Sequence, residues 1–197
     1  MPTAKGMEDA VGVLGGTFDP VHNAHLAMAR AALAHLPVKK VLFMPTGNPP
    51  YRGPPVASPV DRVAMLKLAV EGNADFAVDE RELAPGASGY TADTLKALHA
   101  EFPGQQIFLL MGSDQHGKLA SWRRPDEVAR LAQIAVFSRP GSPIKGKDVK
   151  IIPFEPTKES ASEIRARAGR GESLAGMVPP AVADYIARRG LYRGRHA

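Results

Sequence analysis

The stretch Gly15-Gly16-Thr17-Phe18-Asp19-Pro20-Val21-His22-Asn23-Ala24-His25-Leu26 gathers residue types that bind phosphate. Glycines at 15 and 16 let the backbone come close to an anion, and Thr17 adds a hydroxyl. His22 and His25 lie three residues apart at a helix start, facing the side on which the first turn's unpaired N–H groups point. Together they describe an anion site. A glycine turn followed by two ordinary surface or core histidines is the plainer alternative and would suffice for a lone histidine. It leaves unexplained the convergence of glycines, hydroxyl, paired histidines and a strand-to-helix context. A metal site on the histidine pair has less support, since the chain has no cysteine and no obvious third ligand accompanies the pair.

Such a loop needs a rigid strand before it and a helix after it. The apolar run 11–14 reads as a buried strand whose exit is a tight glycine turn, and Leu26, Ala29, Leu33 and Leu36 recur at helical spacing until Pro37 closes the segment. The alternation then repeats. Strands are expected at 40–44, 76–79, 106–111, 134–138 and 149–154. Helices are expected after Ser58-Pro59, with Asp61 placed as in a capping box, then over 91–101 and near 125–132. Apolar strands alternating with amphipathic helices imply an α/β, doubly wound, mostly parallel sheet covered on both faces. Two last helices, about 162–168 and 180–189, have no strand between them and should pack together as a small C-terminal helical part, within 160–190. The proline- and glycine-rich connections 45–59 and 85–89 lie on the strand-exit side, where open α/β sheets bind ligands.

A second phosphate signal is a decoy. Gly112 to Lys118 fits the spacing of a P-loop, but Leu119 stands where that loop needs a magnesium-binding hydroxyl, the motif follows a late strand, and Asp114 would repel phosphate.

The first motif resembles the signature of the nucleotidylyltransferase superfamily, Gly-Gly-Thr-Phe-Asp-Pro-apolar-His-x-Gly-His-Leu, and in particular its bacterial nicotinate mononucleotide adenylyltransferase branch. Ala24 stands where the family has glycine. The resemblance continues over nearly the whole chain. Met44-Pro45 with 48–52 is similar to the Pro-Pro-His-Lys/Arg loop, with Tyr51 replacing histidine and Arg52 keeping the cation. Ser88 to Leu95 is similar to Ser-Tyr-Thr-x-Asp-Thr-Leu, with Gly89 as a departure. Gly112-Ser113-Asp114 and Trp122 look like the family's Gly-x-Asp and substrate-stacking tryptophan. Ser160 to Arg165 resembles its second phosphate motif, with Ala161 as a departure.

The resemblance implies a Rossmann-like nucleotidylyltransferase fold and transfer of AMP from ATP to nicotinate mononucleotide. It implies ATP contacts from Gly15, Gly16, Thr17, Phe18, His22, His25, Ser160, Ser162 and Arg165, with His22, His25 and Arg165 acting on the reacting phosphates. Substrate contacts are implied from Asn48, Arg52, Thr91, Asp114 and Trp122. Thr91 would meet the nicotinate carboxylate through its N–H, although it is equally a good N-cap. Ser162 as a plain N-cap is likewise open. Mg²⁺ would be carried with ATP rather than held in a protein cage.

At 197 residues and 44% hydrophobic content, one core spanning 1–197 is expected, with residues 1–10 as a flexible N-terminus. Absence of cysteine excludes disulfides, thiolate metal sites and a cysteine nucleophile, and nothing resembles a signal peptide, so a cytoplasmic protein is expected. The net charge of +5 favours anionic partners, nucleic acid or small phosphorylated substrates alike, and does not choose between them; the resemblance implies small nucleotides, with no nucleic acid and no membrane. Much of that charge lies in 188–195 and reads as a solvated stretch. Oligomeric state is not legible. Rival readings are another nucleotidyl transfer on the same fold, such as one acting on phosphopantetheine, a nucleic-acid-binding α/β protein, and a catalytically silent nucleotide sensor.

Overall fold

A computed structural model describes residues 10–47, 53–138, 144, 146, 148–155, 157 and 159–194. Six strands form one parallel sheet: β1 (Ala10–Gly16), β2 (Val38–Pro45), β3 (Phe76–Val78), β4 (Ile107–Gly112), β5 (Gln133–Ser138) and β6 (Val149–Pro153). Their order, β3-β2-β1-β4-β5-β6, runs outward in both directions from the β1/β4 pair. Reversal of winding at that pair opens a crevice beyond the carboxyl ends of the strands, where ligands bind in such sheets.

Period-two alternation distributes each strand's side chains between two cores. Leu14, Phe43, Leu110 and Phe137 join one apolar cluster, to which α1 (Asn23–His35), α2 (Pro59–Val70), α6 (Ala161–Gly169) and α7 (Pro180–Arg189) contribute. Val13, Met44, Leu109 and Val136 face the other cluster, closed by α3 (Thr91–Glu101) and α5 (Pro125–Leu131). Both faces are therefore covered, which is why β4 reads as an unbroken apolar run with Ile107 to Met111 all buried.

Local signals set most helix starts. Ser58 caps α2, its Oγ accepting from the Asp61 N–H at 3.1 Å, and Pro59 occupies the first helical position. Several boundaries differ from expectation for physical reasons. Tyr90, not Thr91, is the N-cap of α3, leaving Thr91 as its first residue. Ser160, not Ser162, caps α6, its Oγ accepting from the Glu163 N–H at 3.2 Å. A short helix α4 (Ser113–Lys118) escapes sequence reading because six residues with none buried carry no apolar period.

The two last helices do not form a core of their own. α7 lies on α2, where the Asp61 carboxylate accepts from the Tyr185 hydroxyl at 2.8 Å and from Arg189 Nε at 3.2 Å. Ile164 and Ala168 of α6 with Val182 and Ile186 of α7 feed the same apolar cluster as α1 and α2. The stretch 188–194 is correspondingly not all solvated, because Tyr192 is buried and Arg189 is paired; Arg195 lies outside the described residues. Residues 1–9 of the expected flexible N-terminus are also outside them, while Ala10 is a buried part of β1.

Candidate active site

Gly15 and Gly16 are the last residues of β1, paired with Met44 and Pro45 of β2, and neither adopts a left-handed conformation. The expected glycine turn is thus displaced to residues 17–20. There Phe18 takes the left-handed backbone at φ 50° and the Asp19–Pro20 peptide is cis. The two glycines serve different needs. A Cβ on Gly16 would lie 3.1 Å from the Phe18 ring, whereas a Cβ on Gly15 would stand in open space at the cleft. The Phe18 ring itself is buried, packed edge-on to His25 at 4.9 Å and against Phe43 at 5.9 Å between ring centroids. Any contact of Phe18 with a nucleotide must therefore come from its backbone.

Buried polar groups hold this loop from behind. Asp19 accepts from the N–H groups of Val56 at 2.7 Å and Ala57 at 3.1 Å and from the Tyr192 hydroxyl at 2.9 Å. Its carbonyl oxygen accepts from Arg165 Nη1 at 2.8 Å. Burial and the neighbouring Asp19 push the Tyr192 phenol well up, so it stays a donor. Arg62, wholly buried on α2, donates from Nη1 to the carbonyls of Thr17 at 2.7 Å and Thr46 at 2.9 Å. Burial lowers its pKa, opposed by the charge of Asp19.

His22 caps α1 and His25 sits at its third position, the ring centroids 3.8 Å apart. The His22 N–H donates to His25 Nδ1 at 3.2 Å, the Asn23 N–H to the Met177 carbonyl at 2.9 Å, and the His25 N–H to the His22 carbonyl at 3.0 Å. The first-turn N–H groups expected to meet an anion are thus largely used within the protein. What remains is the imidazoles, and His22 Nδ1 is buried with no partner among the described residues. Burial pushes the His22 pKa down to about 4, against the pull of Glu159; burial and the adjacent His22 hold His25 well below the usual range. Both rings are neutral near pH 7. Ala24 between them is buried and does not line the cleft.

A cleft of about 230 Å³ lies over the β1/β4 switch point. Gly15, Gly16 and Thr17 line it together with Thr91, Asp114 and Trp122. Six residues nominated from separate parts of the sequence are thereby brought together. Phe18, His22, His25, Ser160, Ser162 and Arg165 do not line it; Arg165 reaches the outgoing loop at the Asp19 carbonyl, and its Nη2 donates to Ser162 Oγ at 3.4 Å. Asn48 and Arg52, with Tyr51, fall outside the described residues.

Sequence reading missed Arg62, Glu82, Tyr90 and Arg123. Glu82 lines the cleft; its carboxyl accepts from Thr94 Oγ1 at 2.8 Å and is raised in pKa by burial. Arg123 lies over the Tyr90 ring at 4.9 Å beside Trp122, while Arg124 is engaged with Asp93 at 2.7 Å and Glu127 at 3.2 Å. Glu82, Tyr90 and Arg123 line the cleft and Arg62 holds the Thr17 and Thr46 carbonyls; Tyr90 lies within the 88–95 motif, while nothing in the spacing of the other three marks them. Among the described residues no three His, Cys, Asp or Glu side chains cluster to hold a metal ion.

A doubly wound sheet with a phosphate-type loop at its switch point defines a nucleotide-binding α/β protein of the nucleotidyl-transfer class, and the cytidylyltransferase-like family model matches residues 13–167. A Bordetella petrii protein named "Probable nicotinate-nucleotide adenylyltransferase" is 42% identical, covering 93% of this chain and 98% of its own. A Thermomicrobium roseum protein of the same name is 36% identical, covering 93% of this chain and 91% of its own. The chain belongs to the nicotinate-nucleotide adenylyltransferase family. Its fold is shared with Plasmodium falciparum nicotinic acid mononucleotide adenylyltransferase complexed with NaAD, at TM-score 0.77 and 16% identity, covering 93% of this chain and 97% of that one.

Proposed function

We propose that the chain transfers AMP from ATP to nicotinate mononucleotide, forming nicotinate adenine dinucleotide and pyrophosphate in NAD biosynthesis. The observation that carries this is one cleft lined both by Gly15, Gly16 and Thr17 and by Thr91, Asp114 and Trp122. Family membership supports it, as does the likeness to a neighbour complexed with NaAD.

The phosphate of nicotinate mononucleotide is already an anion, so no general base is needed to create the nucleophile. Its oxygen attacks the α-phosphorus in line and the bond to pyrophosphate breaks, with no covalent enzyme intermediate. The protein's task is to align two polyanions and to offset charge as pyrophosphate leaves. Gly15 leaves room for the triphosphate and Thr17 offers its hydroxyl. His22 and His25, neutral near pH 7, present ring nitrogens to phosphate oxygens and gain proton affinity from the arriving negative charge. Arg165, steadied by the Asp19 carbonyl and Ser162, supplies a permanent cation. Ser160 and Ser162 border the same side; because the Ser160 oxygen already accepts the capping bond, its hydroxyl proton is what it can give. Thr91 and Trp122 receive the nicotinate ring, Asp114 accepts from ribose hydroxyls, and Asn48 and Arg52 complete the substrate contacts.

Mg²⁺ would be held by the polyphosphate itself and would supply charge neutralisation there. We read residues 1–197 as one domain acting in the cytoplasm on small nucleotides rather than on nucleic acid or membrane. No helix among the described residues is long and apolar enough to cross a membrane.

The deciding experiment measures pyrophosphate release from Mg-ATP with nicotinate mononucleotide, nicotinamide mononucleotide and phosphopantetheine offered separately. A strong preference for the first is expected. Preference for another acceptor would overturn the roles of Thr91 and Trp122, and silence with all three would overturn the reaction.

A further inference from the structure

Among the described residues only three other than glycine take the left-handed backbone, and two of them, Phe18 and Tyr192, belong to the loop after β1 and its support. The third is Arg124, at φ 56° and ψ 55°, the residue that opens α5. Its side chain makes no capping bond to the α5 backbone, so starting that helix does not account for an arginine in a conformation that bulky residues seldom adopt. Such a conformation persists where its surroundings impose it.

The surroundings are a closed circuit of contacts. Arg124 Nη2 meets the Asp93 carboxylate of α3 at 2.7 Å, and Glu127 of α5 holds Nη1 at 3.2 Å. The same Asp93 carboxylate accepts from Ser88 Oγ at 2.7 Å, and Ser88 Oγ in turn accepts from the Tyr90 N–H at 3.2 Å. The Tyr90 ring carries the guanidinium of Arg123 at 4.9 Å, and a peptide bond joins Arg123 to Arg124. Tyr90 and Arg123, with their neighbours Thr91 and Trp122, line the cleft, whereas Ser88, Asp93 and Arg124 do not. Half of the circuit therefore borders a ligand and half lies behind it. Arg124 and Ser88 hold the Asp93 carboxyl below its usual range, so the pair behind the cleft is charged at neutral pH.

Stability does not explain that pair. The Asp93 and Arg124 side chains are 41% and 36% exposed, and ion pairs at such exposure add little to a fold. α3 and α5 are tied separately by Lys96 to Glu127 at 2.9 Å and by the apolar cluster that both helices close. What the Asp93 pair adds is a fixed point where the chain turns into α5, directly after Trp122 and Arg123. On the other side the Trp122 N–H donates to the Leu119 carbonyl at 3.0 Å, so the two cleft residues are held at both ends.

We propose that Arg124, paired with Asp93, is a positioning residue that fixes Trp122 and Arg123 relative to Tyr90 and Thr91, and thereby the fit of the acceptor nucleotide's aromatic ring. The inference rests on the reading that Thr91 and Trp122 receive that ring. Arg124 touches no substrate; it acts through the peptide it shares with Arg123, and Asp93 acts through the Ser88 bond to Tyr90. The pair thus governs binding of the acceptor and leaves the phosphate chemistry to other residues.

Trp122 is the chain's only tryptophan, so its fluorescence reports the positioned residue itself. In the full-length protein without substrate, Arg124→Gln and Asp93→Asn should each shift the Trp122 emission maximum, and the double variant should shift it no further than the larger single change. In initial-rate assays each should raise the KM for nicotinate mononucleotide roughly 10-fold, the scale of a small misplacement, with kcat and the KM for ATP near their original values. Arg124→Lys, which keeps a charge opposite Asp93, should recover part of the loss, and melting temperatures should stay close to that of the unaltered protein. Unchanged emission and KM in Arg124→Gln and Asp93→Asn overturn the proposal, as do additive effects of the two substitutions. A loss that tracks melting temperature, or failure of either variant to fold, overturns it too, because the pair would then be a prop of the fold. Unaltered protein that turns over nicotinate mononucleotide while the variants match it removes this inference only. Unaltered protein inactive with every acceptor removes the reading beneath it, and the emission measurement then still tells whether the pair positions Trp122.

Discussion

Burial leaves His22 uncharged at neutral pH, with its pKa pushed down to about 4 from an ordinary 6.5. Between those values the unfolded chain binds a proton that the native state refuses, so stability rises with pH across the window. Stability is therefore lost as pH falls from 6.5 toward 4, by about 3 kcal/mol from this residue, and the slope ends once both states are protonated. Urea unfolding at several pH values checks this: His22→Gln should reduce the slope, leaving the part that buried His25 contributes, and a flat profile in the unaltered protein would sink the assignment. His25→Ala should lower kcat about 100-fold while costing about 1 kcal/mol of stability, because the ring's contacts to Phe18 and the His22 N–H are modest. Trp122→Ala should raise the KM for nicotinate mononucleotide about 10-fold and leave that for ATP near its original value, as initial-rate assays would read. At this scale legibility followed contiguity. The loop from Gly15 to His25 announces itself because its members are neighbours in sequence, whereas Arg62 looks like any helical arginine until Thr17 and Thr46 are folded against it. The orientation of Phe18 was not legible for the opposite reason, since a place in a phosphate motif does not tell whether a ring faces ligand or core.

Elements were legible where a single physical signal dominates. Strands β1, β4 and β5 are short apolar runs, and such runs in a parallel sheet have no polar face to confuse them. The start of α2 is written in Ser58-Pro59-Val60-Asp61, and Ser58→Ala should cost about 1 kcal/mol in thermal or chemical unfolding with kinetic constants unchanged, since the cap lies away from the cleft. Where two candidate caps compete, sequence does not choose. Thr91 and Ser162 are both good cap types, yet Tyr90 and Ser160 hold those positions because packing of α3 and α6 on their clusters sets the register. The partner of α7 was illegible for a related reason. Its amphipathic stripe says that one face is buried, and only the pairing of Asp61 with Tyr185 and Arg189 says that α2 covers it.

Across the whole molecule, the sheet separates a cluster closed by α3 and α5 from one that draws on residues as distant as Leu14 and Tyr192. Tyr192→Phe should cost about 1 kcal/mol, the worth of its hydrogen bond to Asp19, and should lower kcat beyond what that loss of stability explains, because Asp19 anchors the loop. Parallel denaturation and turnover measurements on one preparation would separate the two effects. The span of that bond, 173 positions along the chain, also orders events during synthesis. A ribosome delivers β1 and the phosphate loop early, and the residues that line the α3/α5 side of the sheet have all appeared once β6 is made. Asp19 must wait until Tyr192 has left the exit tunnel before its carboxylate has its last partner. The loop after β1 is thus made well before the residue that completes its support, so a nascent chain can own most of its architecture while Asp19 still lacks its last partner.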